Sequence, residues 1–130
     1  MTPRTGGRRQ PCATGDARAR LHDAEAFLDT AETAKDPDVK ATNAIHAAIA
    51  AADAICCFAL RERSADANHA AAIDLLRTVD AQLAATLGRL LGRKQQAAYE
   101  SRDISARDAA TCIRQATTLV DAARSRALRA

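Results

Sequence analysis

Apolar residues recur every three or four positions along most of the chain, which is the spacing of one face of an α-helix. The pattern begins after Gly15. The face of the first predicted helix consists of Leu21, Ala24, Phe27 or Leu28, and Ala31. This helix ends at Asp36-Pro37, a pair that interrupts one helix and suits the start of another.

The second predicted helix begins at that pair, with Asp36 as the N-cap and Pro37 at the first helical position, where its missing N–H costs nothing. It runs to about Arg61. Its apolar stripe is rich in alanine, which allows close approach of neighbouring helices, so we expect it to be the central helix of the core. The stripe consists of Ile45, Ala48, Ile49, Ala52, Ile55, Cys56 and Ala59.

Three more helices follow, each with a capping signal at its start. Asn68 can cap a short third helix and Asp80 a fourth, while Ser105 opens the fifth with a capping-box pattern. The apolar face of the third helix consists of Ile73, Leu76 and Val79, and that of the fourth of Leu83, Leu87, Leu90, Leu91 and Ala98. The apolar face of the fifth helix consists of Ala109, Cys112, Ile113, Ala116, Leu119, Val120 and Ala123. Five helices with short connections predict an all-α, up-and-down bundle.

The composition agrees with this architecture. The chain of 130 residues is 48% hydrophobic, largely through alanine, and only 2% aromatic, which favours helices over sheets. No uninterrupted apolar stretch reaches the roughly 18 residues of a membrane span, and the first residues lack the apolar segment of a secretory signal. We therefore expect a cytoplasmic protein that does not enter a membrane.

The net charge of +3 is concentrated at the N-terminus. Residues 1–20 contain five arginines and one aspartate, which leaves a net charge of −1 for the rest of the chain. Residues 1–15 have no apolar period and contain Gly6, Gly7 and Pro11, so we predict a disordered basic tail before a helical domain over residues 16–130. The tail is either a solvated segment or an arm that contacts phosphates.

The four cysteines are Cys12, Cys56, Cys57 and Cys112. None has the Cys-x-x-Cys spacing of zinc or thioredoxin-like sites. Structural disulfides are rare in the cytoplasm, and the adjacent Cys56 and Cys57 would point about 100° apart on a helix. We expect buried or half-buried thiols, with no metal site and no cofactor.

Two segments resemble the HEPN superfamily, a group of helical domains of prokaryotic toxin–antitoxin and defence proteins associated with RNA. Residues 43–55 resemble the family's small-residue-rich second helix. Residues 90–109 resemble a Tyr-bearing subtype, in which a basic residue, an alanine and a tyrosine precede an Ile-Ser helix start, and the closing amphipathic helix follows. The likeness covers about residues 17–126 and implies a HEPN-like bundle over residues 16–130.

Active HEPN ribonucleases carry an Arg-x(4–6)-His motif, and Arg63 and His69 have that spacing. The resemblance implies that Arg63 contacts a phosphate while His69 helps the ribose 2′-hydroxyl attack it without a metal, roles that suit a fixed cation and an imidazole titrating near neutrality. In the family the motif lies near the end of a later helix. The alternative roles are structural: Arg63 at the end of the second helix, and His69 as a polar residue at a helix start.

The later helix carries the other candidate RNA contacts. The resemblance implies that Arg93, Lys94 and Tyr99 line an RNA-binding groove. The alternatives are a solvated helix face for the two basic residues and a buried ring for Tyr99, with its hydroxyl tied to backbone.

Three functions are therefore open, one of them a nucleic-acid-binding accessory that uses the basic tail. The resemblance implies a metal-independent endoribonuclease or toxin-like component of a toxin–antitoxin or defence system, homodimeric, acting on RNA, with a nucleotidyltransferase-type antitoxin or another protein as partner. The near-neutral helical region favours the alternative, a non-catalytic interaction module of the same fold that docks onto its own copy or onto a partner protein. The residue pattern leaves open whether the protein is an enzyme.

Overall fold

A computed structural model describes residues 8–66, 68–99 and 103–130, without the side chains of residues 97–99. These residues form five helices and one short antiparallel ribbon, so the predicted all-α bundle is confirmed. The elements are β1 (Arg9–Pro11), α1 (Thr14–Thr33), α2 (Pro37–Leu60), β2 (Glu62–Ser64), α3 (His69–Arg77), α4 (Ala81–Tyr99) and α5 (Ala106–Arg129).

Side chains cap four of the helices at the positions that the sequence predicted. The acceptors and the backbone N–H groups that donate to them are Asp36 with Asp38 (2.8 Å), Asn68 with Ala70 (2.9 Å), Asp80 with Leu83 (3.0 Å) and Ser105 with Asp108 (3.0 Å). Each bond satisfies an N–H group that has no partner within its helix. Local sequence therefore determines where these helices begin.

The central helix of the core is α2, as predicted. It packs most extensively against α1 and α5 and also contacts α3, α4 and β2. Eight of its buried residues are alanines, and burial extends around the helix rather than along one stripe. Its length and hydropathy would also suit a membrane span, but 67% of that window is buried inside the bundle. Small side chains on all sides let neighbouring helices approach closely.

The helix α2 ends at Arg61, which has the left-handed backbone conformation, with φ of 57°. Its N–H donates to the carbonyl of Cys57 at 3.0 Å, and its guanidinium donates to the carbonyls of Cys57 and Phe58. A cation at a helix C-terminus is favourable because it satisfies the last carbonyls and complements the helix dipole. The reversal at Arg61 directs the chain into β2.

The predicted disordered tail over residues 1–15 is wrong from residue 8 onward; residues 1–7 lie outside the described residues. The strand β1 pairs antiparallel with β2, with Gln10 opposite Arg63, and α1 already begins at Thr14. Beyond the ladder, the N–H of Cys12 donates to the carbonyl of Arg61 at 2.8 Å. Hydrophobic periodicity does not detect this ribbon because its contacts are backbone hydrogen bonds to a segment distant in sequence.

The predicted state of the cysteines is wrong for two of the four. Cys12 and Cys57 form a disulfide across a sequence separation of 45 residues, with their Cα atoms 5.2 Å apart. Cys56 and Cys112 are free and buried, as predicted. Spacing rules for cysteine motifs miss this pair because the ribbon, and not sequence proximity, brings Cys12 to the end of α2.

Candidate functional site

The two residues of the candidate motif lie on different elements. Arg63 is the middle residue of β2, and His69 is the first residue of α3. No hydrogen bond or ion pair joins them, although both side chains lie in the described part of the chain. The surroundings of each residue therefore indicate what it can do.

Two polar side chains hold the guanidinium of Arg63. One Nη lies 3.6 Å from an Oδ of Asp53. With the amide of Gln10 oriented so that its oxygen faces Arg63, that oxygen accepts from Nε at 2.7 Å and from the other Nη at 2.8 Å. All three nitrogens of the guanidinium thus face a partner, and the side chain ties β1 and β2 to the central helix.

Asp53 is the centre of this network. It is the one acidic residue of the chain between Val39 and Leu60, and its side chain is only 13% exposed. Arg20 of α1 donates to it at 2.9 Å. Burial raises the pKa of the Asp53 carboxyl above its ordinary value and outweighs the opposing attraction of Arg20, Arg63 and His69.

A cavity of about 260 Å³ lies beside this network. Arg20 and Arg63 line it together with Gln10, Pro11, Cys12, Asp16 and Ala19. Both guanidiniums already have carboxylate or amide partners, because Arg20 contacts Asp23 as well as Asp53. In this arrangement the arginines hold the fold together instead of presenting donors to a bound phosphate.

His69 faces a different space, a groove between α3 and α4 that extends to α2. Two adjoining cavities, of about 390 and 240 Å³, form this groove, which we call the His69 groove. Both are lined by His69, Leu91 and Gln95. The wider one adds Asn68, Ala70, Ile73, Gly88 and Gly92, and the narrower one adds Ile45 and Lys94.

Two glycines of α4 keep the His69 groove open. A Cβ atom at Gly92 would meet no heavy atom within 4 Å, and one at Gly88 would lie 4.0 Å from Ile73 Cδ1. A glycine inside a helix costs roughly 0.5–1 kcal/mol relative to alanine. Since no neighbouring atom in the described chain excludes a side chain at Gly92, packing within the protomer does not explain that glycine.

The predicted RNA contacts on α4 point to different partners. Arg93 pairs with Asp108 of α5 at 3.2 Å, and Lys94 donates to the hydroxyl of Thr42 on α2. Lys94 lies at the edge of the His69 groove, whereas Arg93 is not among the residues that line it. Tyr99 is the last residue of α4, and its side chain lies outside the described residues.

Sequence reasoning missed Asp53, Arg20, Gln10 and the two glycines. Asp53 carried a usable signal, since a lone carboxylate within an apolar helix requires a cationic partner when buried. Gln10 and Arg20 carried none, because their roles depend on the ribbon and on the packing of α1 against α2.

The described ranges contain no group of three or more His, Cys, Asp and Glu side chains arranged to hold a metal ion. The structure therefore offers two features for functional interpretation, the Asp53 network and the His69 groove. Comparisons of the chain with protein-family models, with curated proteins and with solved structures found no match.

Proposed function

We propose that this protein is a non-catalytic helical interaction module that pairs with a second copy of itself through the His69 groove. The observation that carries the proposal is the groove itself, with Ile45 and Leu91 in its lining and a glycine wall that no side chain of the described protomer fills. The smaller cavity of the groove is mainly apolar, and the larger one, beside the two glycines, has a mixed polar and apolar lining. An open groove of this kind beside a glycine-bearing helix suits close approach of another chain.

The placement of Arg63 supports an interaction module over a nuclease. A phosphodiester held between Arg63 and His69 would have to contact both side chains, but Arg63 donates to Asp53 and Gln10 and lines the other cavity. Rotating its guanidinium toward His69 would leave Asp53, which is mostly buried, with one cationic partner fewer. Breaking a buried ion pair is costly because it leaves an uncompensated charge.

A second copy is the proposed occupant because the chain carries a complementary projection. Val39, in the first turn of α2, is 45% exposed, and two exposed acidic residues, Asp36 and Asp38, closely precede it in the chain. The rim of the His69 groove carries Lys94 and His69. An exposed apolar side chain close to two acidic residues therefore complements a partly apolar groove that is also lined by basic groups.

The projection and the groove are neighbours on the same molecule. Lys94 donates to Thr42, which lies one helical turn after Asp38 on α2. In a two-fold dimer each protomer presents both surfaces, so each Val39 can enter the groove of its partner. The HEPN resemblance also implies a homodimer, which supports the pairing of two copies but does not identify the interface.

Filling the groove tests the proposal. Wild type should sediment as a dimer at micromolar concentration, and Gly92→Leu should sediment as a monomer. The same substitution should not lower the melting temperature of the protomer, since a Cβ atom at this position meets no heavy atom within 4 Å and Leu favours the helix by roughly 0.8 kcal/mol over Gly.

Two further variants complete the experiment. Val39→Lys should also give a monomer, because it puts a charge where the apolar projection was. Gly15→Leu is the matched control: its Cβ likewise meets nothing within 4 Å, but Gly15 lies in α1, outside the groove, so the dimer should persist. A monomeric wild type, or a Gly92→Leu variant that stays dimeric, would refute this interface.

The ribonuclease hypothesis is the second candidate function. One observation favours it: His69 is exposed at the start of α3 beside Lys94, so its imidazole is accessible.

A further inference from the structure

The disulfide joins the segment that follows β1 to the central helix α2, which is extensively buried. Cys57 is fully buried in the last turn of α2, and Cys12 follows β1. The ribbon that holds β1 has three residues in each strand. A two-stranded ribbon of this kind is marginally stable at best in water without further support.

Besides the strand pairing, Gln10 of β1 contacts Arg63, and the contacts of Arg8, just before β1, are mostly solvated. Arg8 pairs with Asp66 at 3.5 Å, and the side chain of Arg8 is 79% exposed. The N–H of Arg8 donates to the same carboxylate, and its carbonyl accepts from Ala65 at 2.9 Å. Exposed ion pairs contribute little to stability, so the covalent bond is the strongest restraint on this segment.

We propose that the Cys12–Cys57 disulfide is a redox latch: while it is intact, β1 holds Gln10 on Arg63, and its reduction releases β1 and removes Gln10 from the guanidinium. The released segment includes residues 8–12. The helices remain folded because, of the released residues, only Cys12 belongs to the hydrophobic core.

The chemistry requires a dithiol as reductant. Cys12 is 3% exposed and lines the Arg20–Arg63 cavity, whereas Cys57 is fully buried, so the dithiol reaches the bond from the side of Cys12. One thiolate of the dithiol attacks Cys12 Sγ, and the bond to Cys57 Sγ breaks. Cys57 leaves as a thiolate and takes up a proton. The second thiolate of the dithiol then displaces Cys12, which is protonated in turn, so the dithiol becomes a disulfide while two electrons and two protons pass to the protein.

The neighbouring thiol is placed so that it does not interfere. Cys56 is buried, and burial together with the carboxylate of Asp53 raises the pKa of its thiol to about 12. Because only the thiolate attacks a disulfide, Cys56 does not exchange with the latch near neutral pH. The pairing of Cys12 with Cys57 is therefore preserved through cycles of reduction and oxidation.

Release of the latch changes the surroundings of Arg63. Gln10 supplies two of the three hydrogen-bond or ion-pair contacts of that guanidinium. Without Gln10, Arg63 keeps only the 3.6 Å contact with Asp53, and two of its nitrogens become open to solvent. The latch thus controls whether the guanidinium of Arg63 is hydrogen-bonded to Gln10 or open to solvent.

The test is hydrogen exchange of the full chain, followed by mass spectrometry, before and after native treatment with dithiothreitol. Reduction should speed exchange by about tenfold or more in residues 8–13 and 61–66, whose amides then open locally. Exchange in the middle of α2 and in α5 should stay unchanged. Re-oxidation should restore protection, with Cys12 again bonded to Cys57 in the peptide map.

Two variants separate the latch from other effects. Cys12→Ser should exchange rapidly in residues 8–13 and 61–66 whatever the redox state, whereas Cys112→Ala, which removes a free thiol elsewhere, should switch like wild type. If Cys12→Ser does not fold, the wild-type measurement decides alone. Unchanged exchange after verified reduction, loss of protection in all the helices, or re-oxidation to a Cys12–Cys56 bond would each overturn the latch.

Discussion

Arg63 and Asp53 form an ion pair of 3.6 Å between the ribbon and the central helix, and Arg20 binds the same carboxylate from α1 at 2.9 Å. The pair therefore connects three elements that are separate in sequence. It also explains the direction in which Arg63 points, because the carboxylate of Asp53 is 13% exposed and requires a cation. The stability of the protein should consequently depend on the charge of Asp53.

Replacing Asp53 with Asn should change how stability depends on pH. Because burial raises the pKa of Asp53 in the folded protein, the folded state holds this proton more tightly than the unfolded state. The associated stability is fully present below the unfolded pKa, near the ordinary value of 3.8, and is lost as pH rises through the higher folded pKa.

The measurement is urea denaturation across this acidic range. As pH rises, wild type should lose stability relative to Asp53→Asn, whose side chain does not titrate. Asp29→Asn, at an exposed position of α1, controls for the loss of one carboxylate. A difference between Asp53→Asn and wild type that is constant with pH would show that the carboxyl has its ordinary pKa.

The ribonuclease hypothesis can be tested directly with single-stranded RNA in the presence of a metal chelator. We expect no cleavage by the oxidised protein, because Arg63 and His69 line different cavities. Cleavage by wild type that leaves 2′,3′-cyclic phosphate ends and is lost in His69→Ala would instead establish the catalytic role. The assay should be repeated after reduction, since the proposed latch then exposes Arg63.

The close packing of α2 predicts a strong dependence on side-chain size. Ala48→Leu should lower the free energy of unfolding by about 1–3 kcal/mol, because Ala48 has no exposed surface and the added atoms must displace neighbouring helices. Ala59→Leu, on the exposed end of the same helix, should change it by no more than about 0.5 kcal/mol. Urea denaturation of the two variants checks this; equal effects would mean that α2 is not closely packed.

At the start of α3, the sequence predicted the boundary of the helix but not the surroundings of its first residue. The cap at Asn68 and the position of His69 as the first helical residue are confirmed, because a cap depends on neighbours two or three residues away. The surroundings of His69 were not predictable in this way. They depend on which residues of α2 and α4 lie opposite α3, and a periodic pattern does not specify pairs of faces.

Arg63 shows the same limit of prediction from sequence. Its spacing from His69 matched a ribonuclease motif, but spacing along the chain does not determine the direction of two side chains when one lies on a strand and the other begins a helix. Gln10, which lies in the predicted disordered tail, is its closest partner. Only the antiparallel register of β1 and β2 brings the two together.

The amino-acid sequence by itself determined the five helices, the caps of four of them and the central position of α2, because these follow from periodicity, capping and alanine content within a few residues. The tertiary structure alone decided the ribbon, the Cys12–Cys57 bond and the placement of Arg63 and His69 in different cavities. These features join segments far apart in the chain, and their geometry is set by how the helices pack against α2. The hydrophobic pattern of a helix shows which of its faces is buried, but it does not show which other segment packs against that face. Local sequence patterns therefore do not predict these pairings.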